Sequence, residues 1–529
     1  MVDYYQDGKQ NKKGFSKLFA IIIAAAVLLI GGSVAAFVLI ESNTPKASYF
    51  LSEKNTYDFL TEQVKERFDS ELSWHEKGLE NPIEDIYEIS AQLNMQLSNS
   101  QGFVTPEQII NSSTVTVTSQ LDRKEKIATA GIKGSFGNIS IEDINFYVTS
   151  EKMMLGLPFI NEILQLNGDD LGKLLHQVDP NAFTGEEKLD FNMLFEGNII
   201  AEEDVKYIED EYVKWLYDEL PEDAFKSSNE TVKMESDNID TEKITFHLTE
   251  DQVKAILKDL FTKMADDEHL KEIIVQYAQA QGTGPVVLGE NANLDIPNFE
   301  EEYDNVMTEA INGLDNFIIP NGLTSTIWVN KDIIVKRDFS IEVGPTEEQL
   351  ITLYLTGQLE NNDSDVSLTY NFGLVDEFGT DHTISLDGTL SNNDGETNDT
   401  ITLSFDTIQL IYESNETTDK NKKDFNRKFT LHDQTGYTFD LLWTGNAEYD
   451  GDQMNSNHEL TIAGDGIPEN AVVLTINKDS KITDSISLPN GDEIKDIGSL
   501  SIEELMTYYE TEVTPQLEQW LMGIIGFGF

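Results

Sequence analysis

Val366-Ser367-Leu368-Thr369-Tyr370-Asn371-Phe372-Gly373-Leu374 keeps an apolar side chain at every second position from Val366 to Phe372. A period of two puts all the apolar side chains on one face of an extended strand and the polar ones on the other. The pattern recurs on both sides of this stretch, at Phe339/Ile341/Val343, Ile351/Leu353/Leu355, Ile401/Leu403/Phe405, Tyr437/Phe439/Leu441/Trp443 and Val472/Leu474/Ile476. Between the runs stand Asn361-Asn362-Asp363, Asn393-Asp394-Gly395, Thr435-Gly436 and Asp450-Gly451, all suited to tight reversals. Strands joined so closely pair antiparallel, because a parallel crossover needs about a dozen linking residues. From Gly322 onward the expectation is a long β-meander.

Upstream the period alternates between two and 3.6. Phe50, Tyr57, Leu60, Val64 and Phe68 fall at roughly helical spacing, and Thr105-Pro106-Glu107 has the form of a helix start. Val115/Val117, Ile139/Ile141 and Ile144/Phe146/Val148 read as strands, with a phase slip between Ile141 and Ile144 that predicts a bulge. Thr249 to Gln252 forms a capping-box pattern, followed by Val253, Ile256, Leu257, Leu260, Phe261 and Met264 in one stripe. Ser501 to Glu504 opens a last helix in the same way. The expected fold class is therefore α+β: antiparallel sheet with amphipathic helices packed on one face.

The first 45 residues set the expected location. Leu18–Ile40 is 23 residues without a charge, about 35 Å as a helix against a hydrocarbon core of about 30 Å. Lys9, Lys12, Lys13 and Lys17 precede it against Asp3 and Asp7, so the short tail belongs in the cytoplasm. The reading is an N-terminal transmembrane helix at 18–40 after a cytoplasmic tail at 1–17. An extracytoplasmic α+β domain at 41–320 and a β-rich domain with a C-terminal helix at 321–529 follow. The lipid bilayer is the partner of Leu18–Ile40, and the localisation is single-pass in the cell membrane.

Composition excludes more than it assigns. Of 529 residues, 96 are Asp or Glu against 36 Lys or Arg, a formal net charge of -60. That surface repels phosphate backbones, so no nucleic-acid partner is expected. Only four arginines occur, Arg67, Arg123, Arg337 and Arg427, which speaks against anion-clamping clusters. With no cysteine, disulfides, thiolate metal sites and cysteine nucleophiles are excluded.

The seven histidines include no pair at i, i+4, and no nucleophile elbow or phosphate loop is present. No catalytic, cofactor-binding or metal-ligating residue is assigned. Tyr437, Phe439 and Trp443 share one face of a strand, which gives either a lipid or glycan groove or plain sheet core. Trp520 belongs to an apolar C-terminus that either docks on the sheet or meets a membrane or partner. These four are the candidate contacts for an apolar ligand or an envelope partner.

The opening, with its lysine-bearing tail, the Leu18–Ile40 span and Ala47-Ser48-Tyr49-Phe50-Leu51-Ser52-Glu53-Lys54-Asn55-Thr56, resembles an uncharacterised family of single-pass exported proteins of low-GC Gram-positive bacteria. Phe146 to Pro180, with Gly156-Leu157-Pro158-Phe159, adds to the resemblance, which covers about the first third and implies no activity. A long meander with helices on one face is similar, at fold level, to lipoprotein-carrier half-barrels. The functional expectation is a non-enzymatic extracytoplasmic protein that binds an apolar ligand or envelope partner on a curved sheet. An envelope hydrolase using two carboxylates and a passive surface component are the alternatives.

Overall fold

The computed structural model describes residues 44–95, 105–137, 139–189, 191–195, 202–234, 237–283, 286–287, 299–362, 364–489, 491 and 494–528. The strands, in chain order, are β1 Ile83–Leu93, β2 Thr114–Asp122, β3 Ile127–Phe136, β4 Ile139–Thr149, β5 Lys152–Gly156, β6 Ile163–Asn167 and β7 Lys188–Leu189. There follow β8 Phe225–Lys233, β9 Asn238–Leu248, β10 Val286–Val287, β11 Leu323–Asn330, β12 Ile333–Val343, β13 Ile351–Asn362 and β14 Asp365–Val375. The last group is β15 Asp381–Asn393, β16 Glu396–Phe405, β17 Ile408–Asp419, β18 Lys422–Asp433, β19 Thr438–Asp450, β20 Gln453–Gly464, β21 Ile467–Ile482 and β22 Ile494–Asp496.

Twenty of these strands form one sheet, and β7 with β10 makes a separate two-stranded ladder. Each strand from β11 to β21 pairs antiparallel with the next, by hairpins, as the turn residues between them dictate. β11 also pairs with β9 and so reaches β8, while β21 pairs with β1 and so continues through β2 to β6. β22 closes the order by pairing parallel to β6. The phase slip of β4 is a bulge, at which Ile132 faces Ile144 while Gly134 faces Ile141.

Helices cover one face of part of this sheet. Helix α1 runs Pro45–Glu80, α2 Glu250–Asp266 and α3 Phe299–Gly313. The main apolar core lies where α2 sets Val253, Ile256, Leu257, Leu260 and Phe261 against Ile244, Phe246 and Leu248 of β9 and Leu323 and Ile327 of β11. Thr249 caps α2 through its side chain, and Gln252 returns the bond to the Thr249 backbone. Substituting Thr249→Ala should cost about 0.5–2 kcal/mol, read as a lower urea midpoint at unchanged slope. Gly322 turns the chain into β11 with φ +64, and a Cβ there would stand 2.0 Å from the Leu248 carbonyl oxygen. Only glycine fits that approach.

Two expectations are corrected. The α+β class gives way to a mostly β molecule built on a single twenty-stranded sheet, because strands flanking the helices pair across the chain into the same ladder as the meander. Among the described residues no helix is long and apolar enough to cross a membrane. The transmembrane helix of the expected fold and the single-pass cell-membrane localisation are not retained; the stretch Leu18–Ile40 lies outside the described residues.

Candidate functional site

Helix α1 crosses the strands rather than following them. Its 36 residues span about 54 Å, and the ten strands from β11 to β20 span about 43 Å at 4.8 Å each. One helical turn, about 5.4 Å, nearly matches one strand spacing. A helix lying across a sheet can therefore offer roughly one side chain per strand from a single face. The Tyr49 hydroxyl meets Ser325 Oγ of β11 at 2.7 Å, and Thr56 Oγ1 accepts from the Ile334 backbone N–H of β12 at 2.9 Å. Glu53 pairs with Arg337 of β12. Phe59 and Leu60 pack on Leu359, Val366 and Leu390 of β13 to β15. Arg67 then makes a two-point bond to Asp399 of β16, Nε to Oδ2 at 2.6 Å and Nη2 to Oδ1 at 3.0 Å.

Beyond a kink at Phe68 the same face reaches β18 to β20. Glu71 accepts from Lys423 at 2.7 Å and from Arg427 at 3.3 Å, both on β18. Those two cations also hold Glu416 of β17, at 2.9 Å and 2.6 Å. Glu416, Lys423 and Arg427 are all buried. Burial alone would raise the Glu416 carboxyl, but its bonds to Arg427 and Lys423 outweigh that and leave it below the usual glutamate range. Trp74 lies over Tyr449 of β19 with centroids 6.5 Å apart, and Lys77 donates to the Gly451 carbonyl in the β19–β20 turn.

Between the end of α1 and the sheet lies a cavity of about 390 Å³. The helix contributes Glu71, Trp74, His75, Gly78 and Leu79, and the walls come from β18, β19, β20, β21, β1 and the β2 end. In a flat sheet β18 and β2 would stand about 24 Å apart. Their meeting in one cavity shows that the sheet curls around the helix.

Four aromatic rings, Trp74, Phe425, Trp443 and Tyr449, share the lining with Arg123, Arg427, Lys478 and Asp85. The Arg427 guanidinium sits 4.5 Å from the Phe425 ring centroid and 4.9 Å from that of Trp443. Trp443 Nε1 donates to His458 Nδ1 at 3.2 Å, which fixes the His458 proton on Nε2, 2.9 Å from Ser456 Oγ. Burial, with Arg427 and Lys478 nearby, pushes the His458 pKa down, so the ring is neutral.

One pleat step from the cavity along the same strands the inner face turns apolar. Ile401, Tyr412, Phe429, Leu441, Ile462 and Val472 stand opposite one another in a row across β16 to β21. A second row runs Leu386, Leu403, Leu410, Leu431 and Phe439 across β15 to β19. Among the described residues no helix covers this second row: Leu403, Leu410 and Leu431 are 40%, 43% and 38% exposed. The opposite face of these strands is mixed, with Thr402, Gln409, Thr430 and Asp440 beside Ile411 and Leu442. An ordinary solvated sheet would keep its bare face polar.

Trp443 lines the cavity, and Phe439 stands in the second apolar row of the same strand. Tyr437 lies just before β19 and is 42% exposed. Trp520 is elsewhere, on the C-terminal helix Thr514–Gly528, with its ring 5.5 Å from Phe159. The sequence reading did not single out Trp74, Phe425 or Tyr449, and it noted Arg123 and Arg427 only for their rarity. Among the described residues no group of three His, Asp or Glu side chains could hold a metal ion. Glu71 and Asp85 both line the cavity, but each is committed to cations, Glu71 to Lys423 and Arg427 and Asp85 to Lys478 at 3.1 Å.

No protein-family model matches the chain, and no curated protein does. Solved structures give a distant fold-level likeness. OccAB2 of Acinetobacter baumannii aligns over 76% of this chain and 97% of its own at 7% identity and a TM-score of 0.24. An OmpT loop-deletion mutant, an outer-membrane protein of Vibrio cholerae, aligns over 76% and 98% at 5% identity and 0.20. Wzi of Escherichia coli, an outer-membrane carbohydrate-binding β-barrel, aligns over 87% and 98% at 6% identity and 0.23. At such scores they carry no argument about function. They show no low-GC Gram-positive family.

Proposed function

We propose that this chain is a non-enzymatic binding protein that holds a ligand with a long apolar body along the inner face of its curled sheet. The observation that carries this reading is the second apolar cross-strand row, whose Leu403, Leu410 and Leu431 stay exposed next to the half-buried first row and the aromatic-walled cavity. A cavity of about 390 Å³ falls within the span of about 300–1,000 Å³ usual for small-molecule sites. Exposed apolar rows destabilise nothing by themselves, but water released from them drives association at about 25 cal/mol per Å². The commitment of Glu71 and Asp85 to cations argues against the two-carboxylate hydrolase.

The test is a paired substitution in the second row, Leu410→Lys with Leu431→Glu. These residues face each other directly, so the opposite charges suit the sheet. Titration with a fluorescent polyene fatty acid should show binding by the full-length protein and at least a tenfold weaker affinity for the double variant, with an unchanged circular-dichroism spectrum. Absence of binding by the unaltered protein, or equal affinity in the variant, would overturn the reading.

A further inference from the structure

The cavity at the end of the apolar rows has its own chemistry. It contains more hydrogen-bond donors than it uses. Among the described residues the Trp74 indole N–H and the Arg123 Nε–H are both buried with no acceptor, and Trp74 is 7% exposed. A buried donor left unpaired costs about 1–3 kcal/mol. Arg123 donates from Nη1 to the Phe195 carbonyl at 3.2 Å, and among the described residues it forms no ion pair. In a chain with 96 carboxylates, a half-buried guanidinium that has met no described carboxylate is out of the ordinary. The other two cations in the lining differ from it. Arg427 is held by Glu416 and Glu71, and Lys478 by Asp85.

We propose that Arg123 and Trp74 form a head-group site for an anionic amphiphile, a long alkyl chain ending in a carboxylate or phosphate monoester. The inference rests on the apolar-ligand reading above and adds the polar end of that ligand. Guanidinium and indole N–H groups both donate, and an oxyacid head supplies the acceptors and the negative charge that they lack. The walls around them suit the first carbons of the chain, since Ile83, Leu121, Met454 and the Trp443 ring share the cavity. The chain then continues over Leu441 and Phe429, about 7 Å further along the strands. Glu71 Oε2 also lacks a partner in this lining. It is screened by the Lys423 and Arg427 charges that hold Oε1, and it favours a singly protonated phosphate or a head group carrying a hydroxyl beside the acid.

The experiment compares oleate, oleyl phosphate and oleyl alcohol by calorimetric titration of the full-length protein, then repeats the series with Arg123→Gln and Arg123→Lys. At least one anion should bind ten times more tightly than the alcohol. Arg123→Gln should bring that ratio to within twofold of unity, while Arg123→Lys should keep part of it. Trp74→Phe, which keeps a ring and removes the N–H, should weaken the anion several-fold and leave the alcohol unchanged. Equal binding of anions and alcohol, or a preference that survives Arg123→Gln, would overturn the head-group site while leaving the apolar groove standing. No binding of any of the three would overturn the groove itself.

Discussion

Replacing Glu416 with alanine is expected to destabilise the fold by about 3–5 kcal/mol, because it leaves two buried cations without their shared partner. Lys423 and Arg427 are 3% and 5% exposed, and Glu416 is their common ligand on the neighbouring strand. With Glu416 gone, Glu71 alone faces two positive charges, and part of its side chain reaches solvent. The loss should be local before it is global. Amides at the C-terminal half of α1 should exchange hydrogen faster, while those near Tyr49 stay protected by the apolar core. A uniform loss of protection along α1, or a cost under about 1 kcal/mol, would show that the ion cluster does not pin the helix. Replacing Glu71, Glu416, Lys423 and Arg427 together with apolar residues should cost less than Glu416→Ala alone, since none of the four charges then stays buried unpaired.

This cluster also shows where sequence reading stops. The strands were legible because a half-buried strand carries its signature in adjacent residues: Val366, Leu368, Tyr370 and Phe372 alternate, and the turns between strands use Asn, Asp and Gly. The stripe of α2 was legible for the same local reason. Helix α1 was read at its true place, and Phe50 and Leu60 of its helically spaced residues do pack inward. Tyr57 and Val64, named with them for the same spacing, are exposed, whereas Glu53, Arg67 and Trp74 are buried. A buried charge looks like any other charge until its partner is known, and the partners here lie hundreds of positions away, as with Arg67 and Asp399. Nothing local marks that separation. The candidate site was half legible for a related reason. Trp443 stood out among alternating aromatics, but the cavity needs Trp74 from the helix and Arg123 from the β2 end, which only the curl of the sheet brings together. The rarity of arginine was the one available signal, and it was read as evidence against anions.

Substituting Phe246→Ala at the opposite end of the helix should cost about 3–5 kcal/mol, yet respond to pH in a different way from Glu416→Ala. Phe246 is 1% exposed and stacks on Phe225 at 4.5 Å, with Tyr49 of α1 5.9 Å away. Its removal leaves a cavity that no titration alters, so the loss should be the same at about pH 4 and about pH 8, a span that crosses the unfolded glutamate value. The ionic end behaves otherwise. The folded Glu416 carboxyl lies below its unfolded value, so its contribution is complete above the usual glutamate range and fades as pH falls through the folded value. His458 acts with the same sign: its folded pKa lies below 6.5, and acid forces a charge onto a ring held neutral beside Arg427 and Lys478. Acid should therefore loosen the cavity end of α1 first while the apolar end holds. In Glu416→Ala that acid sensitivity should shrink, and in Phe246→Ala it should persist at full size. Urea titrations of both variants at two pH values separate these outcomes, and parallel pH responses would mean that the two ends of the helix are not the distinct apolar and ionic anchors that their packing implies.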